Sequence, residues 1–548
     1  MLKQDFIQRM RRLLRDEYNI FEGALGDAPP VSIRINPLKF DVCHLQQWVL
    51  CTGNERSTDT DSKRLTGTGN ERSTGADNER STDADNKQST ANISELERVP
   101  WCETGYYLPQ RPSFTFDPLF HAGAYYVQEA SSMFVEQAVL QICAAPDLAG
   151  RPVTALDLCA APGGKSTHLS ALLPAGSLLV SNEVVRSRSL ILAENMAKWG
   201  SLDTIITRND PKTFGNMPHL FDVVVADLPC SGEGMFRKIP ASRDEWSIDH
   251  VRLCAARQRR IIHDVWDALR PGGYLIYSTC TFNTEENEEN VKILSEELEA
   301  EIIPVPTRPE WNIAGSICHD MPVYRFFPHR TRGEGFFLAL LQKPARRYAT
   351  LGVADITGED AQQQACFAQQ RARHDKQQHR RHAQQQARHD KQQQSGHAQQ
   401  QQGRHAVKAA VTPAASMLSN PEKFTYLTAG IVQALPKVHE SSYAIVSAHL
   451  NIIAAGISIG EYKGRDFTPS AALALSTEID AGTFPRVELA YEQAIAYLQR
   501  QTIVMPPNTS KGYVIVTYKE TPLGFAKNIG YRANNCYPKE WRIVSNNH

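Results

Sequence analysis

Six short apolar runs, separated by amphipathic helical patterns, occupy the stretch between Tyr125 and Leu341. The runs are VTALDL, SLLVSNE, DTIITR, FDVVVAD, GYLIYST and FFLALLQ. Strands that alternate with helices form βαβ units, which place the strands in one largely parallel sheet with helices on its faces. The pattern therefore predicts a doubly wound α/β unit over residues 125–345, with smaller units before and after it.

A first repetitive stretch interrupts the N-terminal part. The pentapeptide NERST occurs at Asn54, Asn70 and Asn78, among Thr, Asp, Gly and Ser and without aromatic residues. Such a composition cannot bury enough apolar surface to offset the entropy of ordering, so we predict a disordered insertion over 52–91. VSIRINPLKF before it and WCETGYYLP after it both have strand character, which indicates one interrupted α+β domain over 1–124.

A second repetitive stretch, rich in Gln and His, separates the α/β unit from the C-terminal part. ARHDKQQ occurs at Ala372 and Ala387, and residues 361–410 contain nine Lys and Arg against two Asp. We interpret 346–415 as a disordered basic linker. A solvated spacer, an auxiliary RNA-contacting arm and a weak metal binder are the three readings of its role.

The remaining residues, 416–548, predict a separate α+β unit, with GYVIVTY as a strand and RVELAYEQAIAYLQRQ as a helix. No apolar run is long enough for a membrane span, so we expect a cytoplasmic protein without membrane contact. Eleven cysteines without a CxxC pair suit neither a disulfide framework nor a zinc ribbon, and no metal is expected. The formal net charge of -1 requires that any nucleic-acid contact be local.

A small-residue turn follows the first predicted strand, in the sequence DLCAAPGGKST from Asp157 to Thr167. Small residues let backbone amides approach a ligand, and the N-terminus of the next helix favours an anionic group such as a carboxylate. Glu183 ends the second strand, where an acid accepts hydrogen bonds from ribose hydroxyls. Together these features predict a nucleoside cofactor.

Two cysteines follow neighbouring strands of the same predicted sheet. Cys230 lies in DLPCSGEG after the fourth strand, and Cys280 lies in STCTFNTEENE after the fifth. Ligands of open α/β sheets bind at the carboxyl ends of the strands, so both thiols are expected beside the cofactor. Asn283 and the acidic residues after it predict a helix that starts just past Cys280, a position that favours a thiolate.

These residues carry a family resemblance. CAAPGGKST, DLPCSGEG and STCTFNTEENE resemble motifs of the Nol/Nop/Sun family of RNA cytosine-C5 methyltransferases, which use S-adenosylmethionine on a Rossmann-like sheet. HAGAYYVQEASSM and FFPHRTRGEGFF also resemble elements of the family. The C-terminal block from Gly512, within about 490–548, resembles the PUA-like RNA-binding end of the bacterial small-subunit rRNA methyltransferase F branch.

The resemblance implies a chemistry that uses two thiols. Carbon 5 of cytosine is a poor nucleophile, so a thiolate first adds at carbon 6, and a base later removes the carbon 5 proton. It implies that Cys280 is the nucleophile, that Cys230 assists product release and that Asp227 holds the base. The implied cofactor-binding residues are Cys159, Ala160, Ala161, Pro162, Gly163, Gly164, Lys165, Glu183, Asp210 and Asp227. Lys165 either orders the active site or is only a cation near a helix N-terminus.

The expected partner is RNA, with small-subunit (16S) rRNA favoured, and we expect a monomer. A transfer RNA substrate and an RNA-binding assembly factor with dispensable methylation are the alternatives; a protein methyltransferase fits the TC motif less well. Phosphate pairing and base stacking are expected from two groups of basic and aromatic residues. They are Tyr324, Arg325, His329, Arg330 and Arg332, and Tyr531, Arg532, Tyr537, Lys539 and Trp541.

Overall fold

The computed structural model describes residues 2–40, 96–345 and 414–544, except Arg465 and Tyr531. The predicted insertion over 52–91 and nearly all of the predicted linker over 346–415 lie outside the described residues.

The N-terminal part is a helical pair followed by a small sheet. The helices are α1 (Gln4–Leu14) and α2 (Tyr18–Ala24). In α1 Phe6, Met10 and Leu14 are buried, and their spacing of four residues places them on one face of the helix. The sheet has the order β2-β1-β3, with strands β1 (Val31–Ile35), β2 (Gly105–Leu108) and β3 (Tyr125–Val127).

The pairing within this small sheet joins the two sides of the predicted insertion. Val31 of β1 lies opposite Leu108 of β2 in an antiparallel ladder, so the segments on either side of 52–91 fold together. β3, which the sequence assigned to the catalytic unit, pairs with β1 as well. A short helix, α3 (Pro118–His121), connects β2 to β3.

A nine-stranded sheet forms the centre of the described structure, and all six predicted strands contribute to it. Its parallel core has the order β8-β7-β4-β5-β6. These strands are β4 (Thr154–Asp157), β5 (Leu178–Asn182), β6 (Thr204–Thr207), β7 (Phe221–Asp227) and β8 (Leu269–Thr279). Antiparallel strands extend the β8 edge: β9 (Glu301–Ile303), β10 (Val323–Phe326) and β11 (Phe336–Gln342).

Helices cover both faces of this sheet, as a doubly wound fold requires. They are α4 (Val135–Cys143), α5 (Gly164–Leu172), α6 (Arg186–Trp199), α7 (Ser242–Glu245), α8 (Ile248–Trp266) and α9 (Glu288–Glu297). Alternate residues of β7 belong to different cores: Val223 and Val225 to one, Val224 and Ala226 to the other. Successive side chains of a strand point to opposite faces of the sheet, and in β7 both sets are apolar. This pattern is typical of a sheet that is buried between two layers of helices.

The C-terminal part contains two four-stranded sheets. The first has the order β12-β13-β15-β16, from β12 (Phe424–Ala429), β13 (Ile431–Pro436), β15 (Ile457–Lys463) and β16 (Asp466–Pro469). The second contains β17 (Arg486–Glu488), β18 (Gly512–Tyr518), β19 (Thr521–Asn528) and β20 (Ala533–Asn535) in sequence order. The helices are α10 (Glu440–His449), α11 (Ala471–Leu475) and α12 (Tyr491–Leu498).

One strand of the C-terminal part belongs to the central sheet. β14 (Ile452–Ala455) pairs antiparallel with β6, and Leu435, Val446 and Ala455 pack into the core beneath it. The sequence predicted a separate unit here. The difference arises because β6 is the last strand of the parallel core, and its free N–H and C=O groups accept one more partner.

No helix among the described residues has the length and apolar character needed to cross a bilayer.

Candidate active site

The polar residues singled out in the sequence meet at the carboxyl edge of the central sheet. β7 ends at Asp227, and β8, its parallel neighbour, ends at Thr279. β4 ends at Asp157 on the other side of β7. The loops after these three strands therefore carry the cofactor-type turn and both cysteines to one place.

The two cysteines are in direct contact. Cys230 Sγ lies 3.0 Å from Cys280 Sγ, and the backbone N–H of Cys280 donates to Cys230 Sγ at 3.4 Å. The hydrogen bond to Cys280, with burial, raises the pKa of Cys230 well above its ordinary value. Cys230 therefore keeps its proton and can donate it to Cys280 Sγ.

A buried network led by Glu233 fixes the loop after Cys280. Glu233 Oε2 accepts hydrogen bonds from Thr281 Oγ1 at 2.8 Å and from the backbone N–H groups of Phe282 at 2.9 Å and Asn283 at 2.8 Å. The N–H of Gly234 donates to the carbonyl of Cys280 at 2.9 Å. The loop that holds Cys230 thus also sets the backbone around Cys280.

Glu286 fixes the loop around Cys230 in return. Its carboxylate accepts from the N–H of Ser231 at 3.0 Å and from Gln258 Nε2 at 2.7 Å. Burial raises the pKa of Glu286 to about 7. Sequence reasoning assigned no role to Glu233 and placed Glu286 in the acidic first turn of a helix, because a motif does not show which of its acids is buried.

Asp227 links the loops to the first turn of α5. Lys165 Nζ lies 2.8 Å from Asp227 Oδ2, and Ser278 Oγ donates to Asp227 Oδ1 at 2.8 Å. Burial opposes the charge of Lys165, but the carboxylate of Asp227 outweighs it and raises the lysine pKa. Of the two readings of Lys165, the ion pair favours the ordering of the active site.

The turn before α5 has the shape of a ligand cradle. Gly163 has φ of 117°, a conformation that side-chain-bearing residues rarely adopt, and α5 begins at the next residue. The carbonyl of Ala161 accepts from Arg188 Nη2 at 2.7 Å, and that of Pro162 from Asn195 Nδ2 at 2.8 Å. Helix α6 therefore holds the outer side of the turn.

The other predicted cofactor residues follow the strands β4, β5 and β6. Glu183 is buried at the end of β5, and its Oε1 accepts from the N–H of Val185 at 2.9 Å. Cys159 is half-buried, and burial raises the pKa of its thiol. Asp210 lies exposed after β6, where its side chain accepts from the N–H of Lys212 at 3.0 Å. Cys159, Ala160, Ala161, Pro162, Gly163, Gly164 and Lys165 follow β4 in one continuous turn.

The predicted helix start after Cys280 is wrong. α9 begins at Glu288, and Asn283 instead closes a turn by accepting from the N–H of Glu286 at 2.9 Å. Asn283 competes with helix formation because its side chain satisfies a backbone donor locally. The sequence pattern had placed a helix N-terminus beside Cys280, and the structure places a turn there.

The predicted RNA-contacting residues before β11 are engaged within the protein. Tyr324 is buried, Arg325 is buried against Glu288, and Arg332 pairs with Glu97. His329 and Arg330 both pair with Glu17 of the N-terminal part.

The C-terminal group is divided. Tyr537 belongs to the core, Trp541 packs beside it, and Arg532 and Lys539 are exposed. Tyr531 lies outside the described residues. A sequence that mixes aromatic and basic residues does not show whether they lie on an exposed surface or are buried and paired within the protein.

Three family models match the chain. 16S rRNA methyltransferase RsmB/F matches residues 150–342, the PUA domain of methyltransferase RsmF matches 484–543, and the N-terminal domain of 16S rRNA methyltransferase RsmF matches 70–130. The chain is 28% identical to ribosomal RNA small subunit methyltransferase F of Salmonella agona, over 81% of this chain and 84% of that protein. The protein of the same name from Escherichia coli O9:H4 is similar to the same extent.

Among solved structures, a methyltransferase homologue protein from Pyrococcus horikoshii is similar at 23% identity and a TM-score of 0.46, covering 62% of this chain and 95% of that one.

The parallel sheet with its strand-end turns and the matched models define an enzyme of the methyltransferase class. Within that class, the chain is similar to the RsmF-type 16S rRNA methyltransferases, and models of the N-terminal and PUA domains of that type also match it.

Proposed function

We propose that the protein methylates carbon 5 of cytosine in RNA with S-adenosylmethionine, through a covalent adduct to Cys280. The observation that carries the proposal is the pair of thiols at the ends of adjacent strands, 3.0 Å apart. Methyl transfer to a nitrogen or oxygen needs no thiol, whereas carbon 5 of a pyrimidine must first be activated by addition at carbon 6.

The residues at the strand ends fit the cofactor. The backbone N–H groups at the start of α5 suit its carboxylate, Glu183 suits the ribose hydroxyls, and Asp210 suits the adenine amine. Gly163 adopts the left-handed backbone conformation that leads the chain from this turn into the start of α5. Cys159 to Lys165 and Asp227 complete the proposed set. When bound, S-adenosylmethionine supplies an electrophilic methyl group.

The protein residues then divide the remaining work. The Cys280 thiolate forms a bond to carbon 6 of cytosine and thereby makes carbon 5 nucleophilic toward the methyl group. After transfer, a base takes the carbon 5 proton, and the sulfur–carbon bond breaks to return the Cys280 thiolate. Cys230 is placed to assist this release because its sulfur contacts that of Cys280.

Asp227 is proposed to hold the N3 edge and the amino group of the base. Its side chain is 38% exposed, so it can reach a ligand while Lys165 and Ser278 fix its direction. The base must leave its stack for a thiolate to reach its face.

Small-subunit rRNA is the proposed substrate, because the curated relatives are named for it and the matched models span the N-terminal, catalytic and C-terminal parts. We propose three functional units. Residues 125–345 carry out the reaction. Residues 1–124 and 416–548 contact RNA, and the PUA-like block at about 490–548 belongs to the second of these two. A transfer RNA substrate and an assembly role without methylation remain the alternatives to test.

The proposed function is tested by Cys280→Ser, with Cys536→Ser as the control at a half-buried thiol of the C-terminal part. Methyl transfer to rRNA from a deletion strain should fall to background in Cys280→Ser and stay at the wild-type rate in the control. Bisulfite sequencing of rRNA and transfer RNA from that strain identifies the substrate. Wild-type methylation by Cys280→Ser would contradict the nucleophile. If Cys280→Ser rescued subunit assembly without methylation, the assembly alternative would hold.

A further inference from the structure

A second group of reactive side chains lies away from the paired thiols. Cys102, Glu136 and His168 are all buried, and one donor atom from each lies within 4.8 Å of the others. His168 Nε2 lies 2.8 Å from Glu136 Oε2 and 3.7 Å from Cys102 Sγ. The three come from a loop between β1 and β2, from α4 and from α5, so sequence spacing gave no signal for them.

The cluster has a route to solvent. A cleft of 470 Å³ is lined by both Cys102 and Glu136, together with Glu103 and Trp101. The second oxygen of Glu136 accepts from the N–H of Glu103 at 2.8 Å, which fixes the carboxylate. A metal site needs such an entry path and supported ligands.

We propose that Cys102, Glu136 and His168 form a binding site for Zn²⁺ or a chemically similar divalent cation. Thiolate, imidazole and carboxylate together are a zinc-type donor set, and three protein ligands leave a fourth position open toward the cleft. Binding exchanges the thiol proton for the metal, and that proton passes to solvent.

The charges around the site allow this exchange. Thiolate and carboxylate supply two negative charges to a divalent cation. Two positive groups oppose the cation: Arg34, which donates to Thr167 beside His168, and Lys165, one turn earlier on α5. A hydrogen-bonded triad without metal would use the same contacts, and the experiment distinguishes the two.

A bound cation would tie the loop at 101–104 to α4 and to α5, the helix that starts at the cofactor-type turn. The site would therefore act as a structural link between the N-terminal part and the catalytic sheet. This inference does not depend on the proposed function, because Cys102, Glu136 and His168 belong neither to the proposed catalytic residues nor to the proposed cofactor-binding residues.

The test is a titration of the full-length, tag-free protein with Co²⁺, which gives a thiolate-to-metal absorption band, and with Zn²⁺ as competitor. Wild type should bind one equivalent with the band, and Cys102→Ser should lose the band and at least about tenfold in affinity. Cys143→Ser on α4 and Cys366→Ser in the Gln- and His-rich stretch are the controls and should keep it.

A second readout guards against a folding defect. Zn²⁺ should raise the thermal midpoint of wild type and of both controls but not that of Cys102→Ser or His168→Ala, each checked by circular dichroism. If wild type shows no band at stoichiometric Co²⁺, or Cys102→Ser keeps the band, the site is a hydrogen-bonded triad and the proposal is wrong.

Discussion

Both cysteines follow the end of a strand in the parallel core, but the surroundings of their thiols differ. Cys230 has a strongly raised pKa because it donates toward Cys280 and is buried, so it enters the reaction as a thiol. Cys280 Sγ is the atom that Cys230 contacts, and it is the proposed attacking atom. The contact between the two sulfur atoms also places Cys230 beside the sulfur–carbon bond that must break when the product is released.

Cys230→Ala should therefore stop the reaction after methyl transfer. The adduct between Cys280 and RNA should accumulate and survive denaturation, because nothing assists the final bond breakage. Denaturing gels of enzyme mixed with substrate RNA and S-adenosylmethionine measure it as a shifted band. The double variant Cys230→Ala with Cys280→Ser should give no shifted band, and full turnover by Cys230→Ala without any adduct would disprove the release role.

Asp157 makes stability depend on pH. Burial raises its pKa to about 7, above an unfolded value of 3.8. The native state therefore keeps this proton to a higher pH than the unfolded state. The stabilising contribution is full below pH 3.8 and is lost between pH 3.8 and about 7. In that window the group lowers the free energy of unfolding by up to about 1.4 kcal/mol per pH unit.

Asp157→Asn should flatten this dependence. Urea unfolding of both proteins between pH 5 and 8 provides the comparison, with the exposed Asp249→Asn on α8 as the control substitution. Equal slopes for wild type and Asp157→Asn would show that Asp157 does not titrate in this range.

At the scale of elements, the N-terminal helices brace the loop that carries Cys280. Phe21 of α2 meets Phe282 edge-on at 5.1 Å, and Phe282 stacks on Phe327 at 5.5 Å. Arg9 of α1 pairs with Glu285 in the same loop. The nucleophile is thus positioned partly by residues more than two hundred positions earlier in the chain.

Phe21→Ala should lower kcat while cofactor binding stays within about twofold of wild type. Loss of the ring leaves Phe282 without its edge contact, and small displacements of a reacting group can cost up to about a hundredfold in rate. Ile20→Ala, at a neighbouring residue of α2 that is 65% exposed, is the matched control. A wild-type kcat in Phe21→Ala would show that α2 only covers the loop.

The elements were largely predictable because their signals are local, whereas their contacts were not. The apolar runs of β4 to β8 predict buried strands directly. The cysteine pair followed from strand order, since parallel strands end at one edge. The packing of α1 on the Cys280 loop, the burial of Glu233 and the internal pairing of Arg325 depend on contacts far apart in sequence, which periodicity does not encode.

At the scale of the whole molecule, a strand of the C-terminal part completes the β6 edge of the central sheet. β14 pairs with β6, and His439 lies 2.7 Å from Asp203 at the start of that edge. Asn209 joins the two parts a second time: its Oδ1 accepts from the N–H of Asn451 at 3.0 Å. Asn209 precedes Asp210, so the C-terminal part supports the proposed adenine end of the cofactor site.

Residues 1–345 and 414–548, expressed together as two polypeptides, should therefore associate and recover methylation to within about tenfold of the intact chain. The contacts of β14, His439 and Asn451 hold the parts together without the intervening stretch, and the apolar core around Val446 adds to them. Ala454→Pro should abolish co-purification, because proline removes a ladder donor in β14 and strains the strand. Ala496→Gly on α12, away from β14, controls for a general loss of stability in the C-terminal fragment. If residues 1–345 alone were stable and as active as the intact chain, β14 would be dispensable to the catalytic sheet.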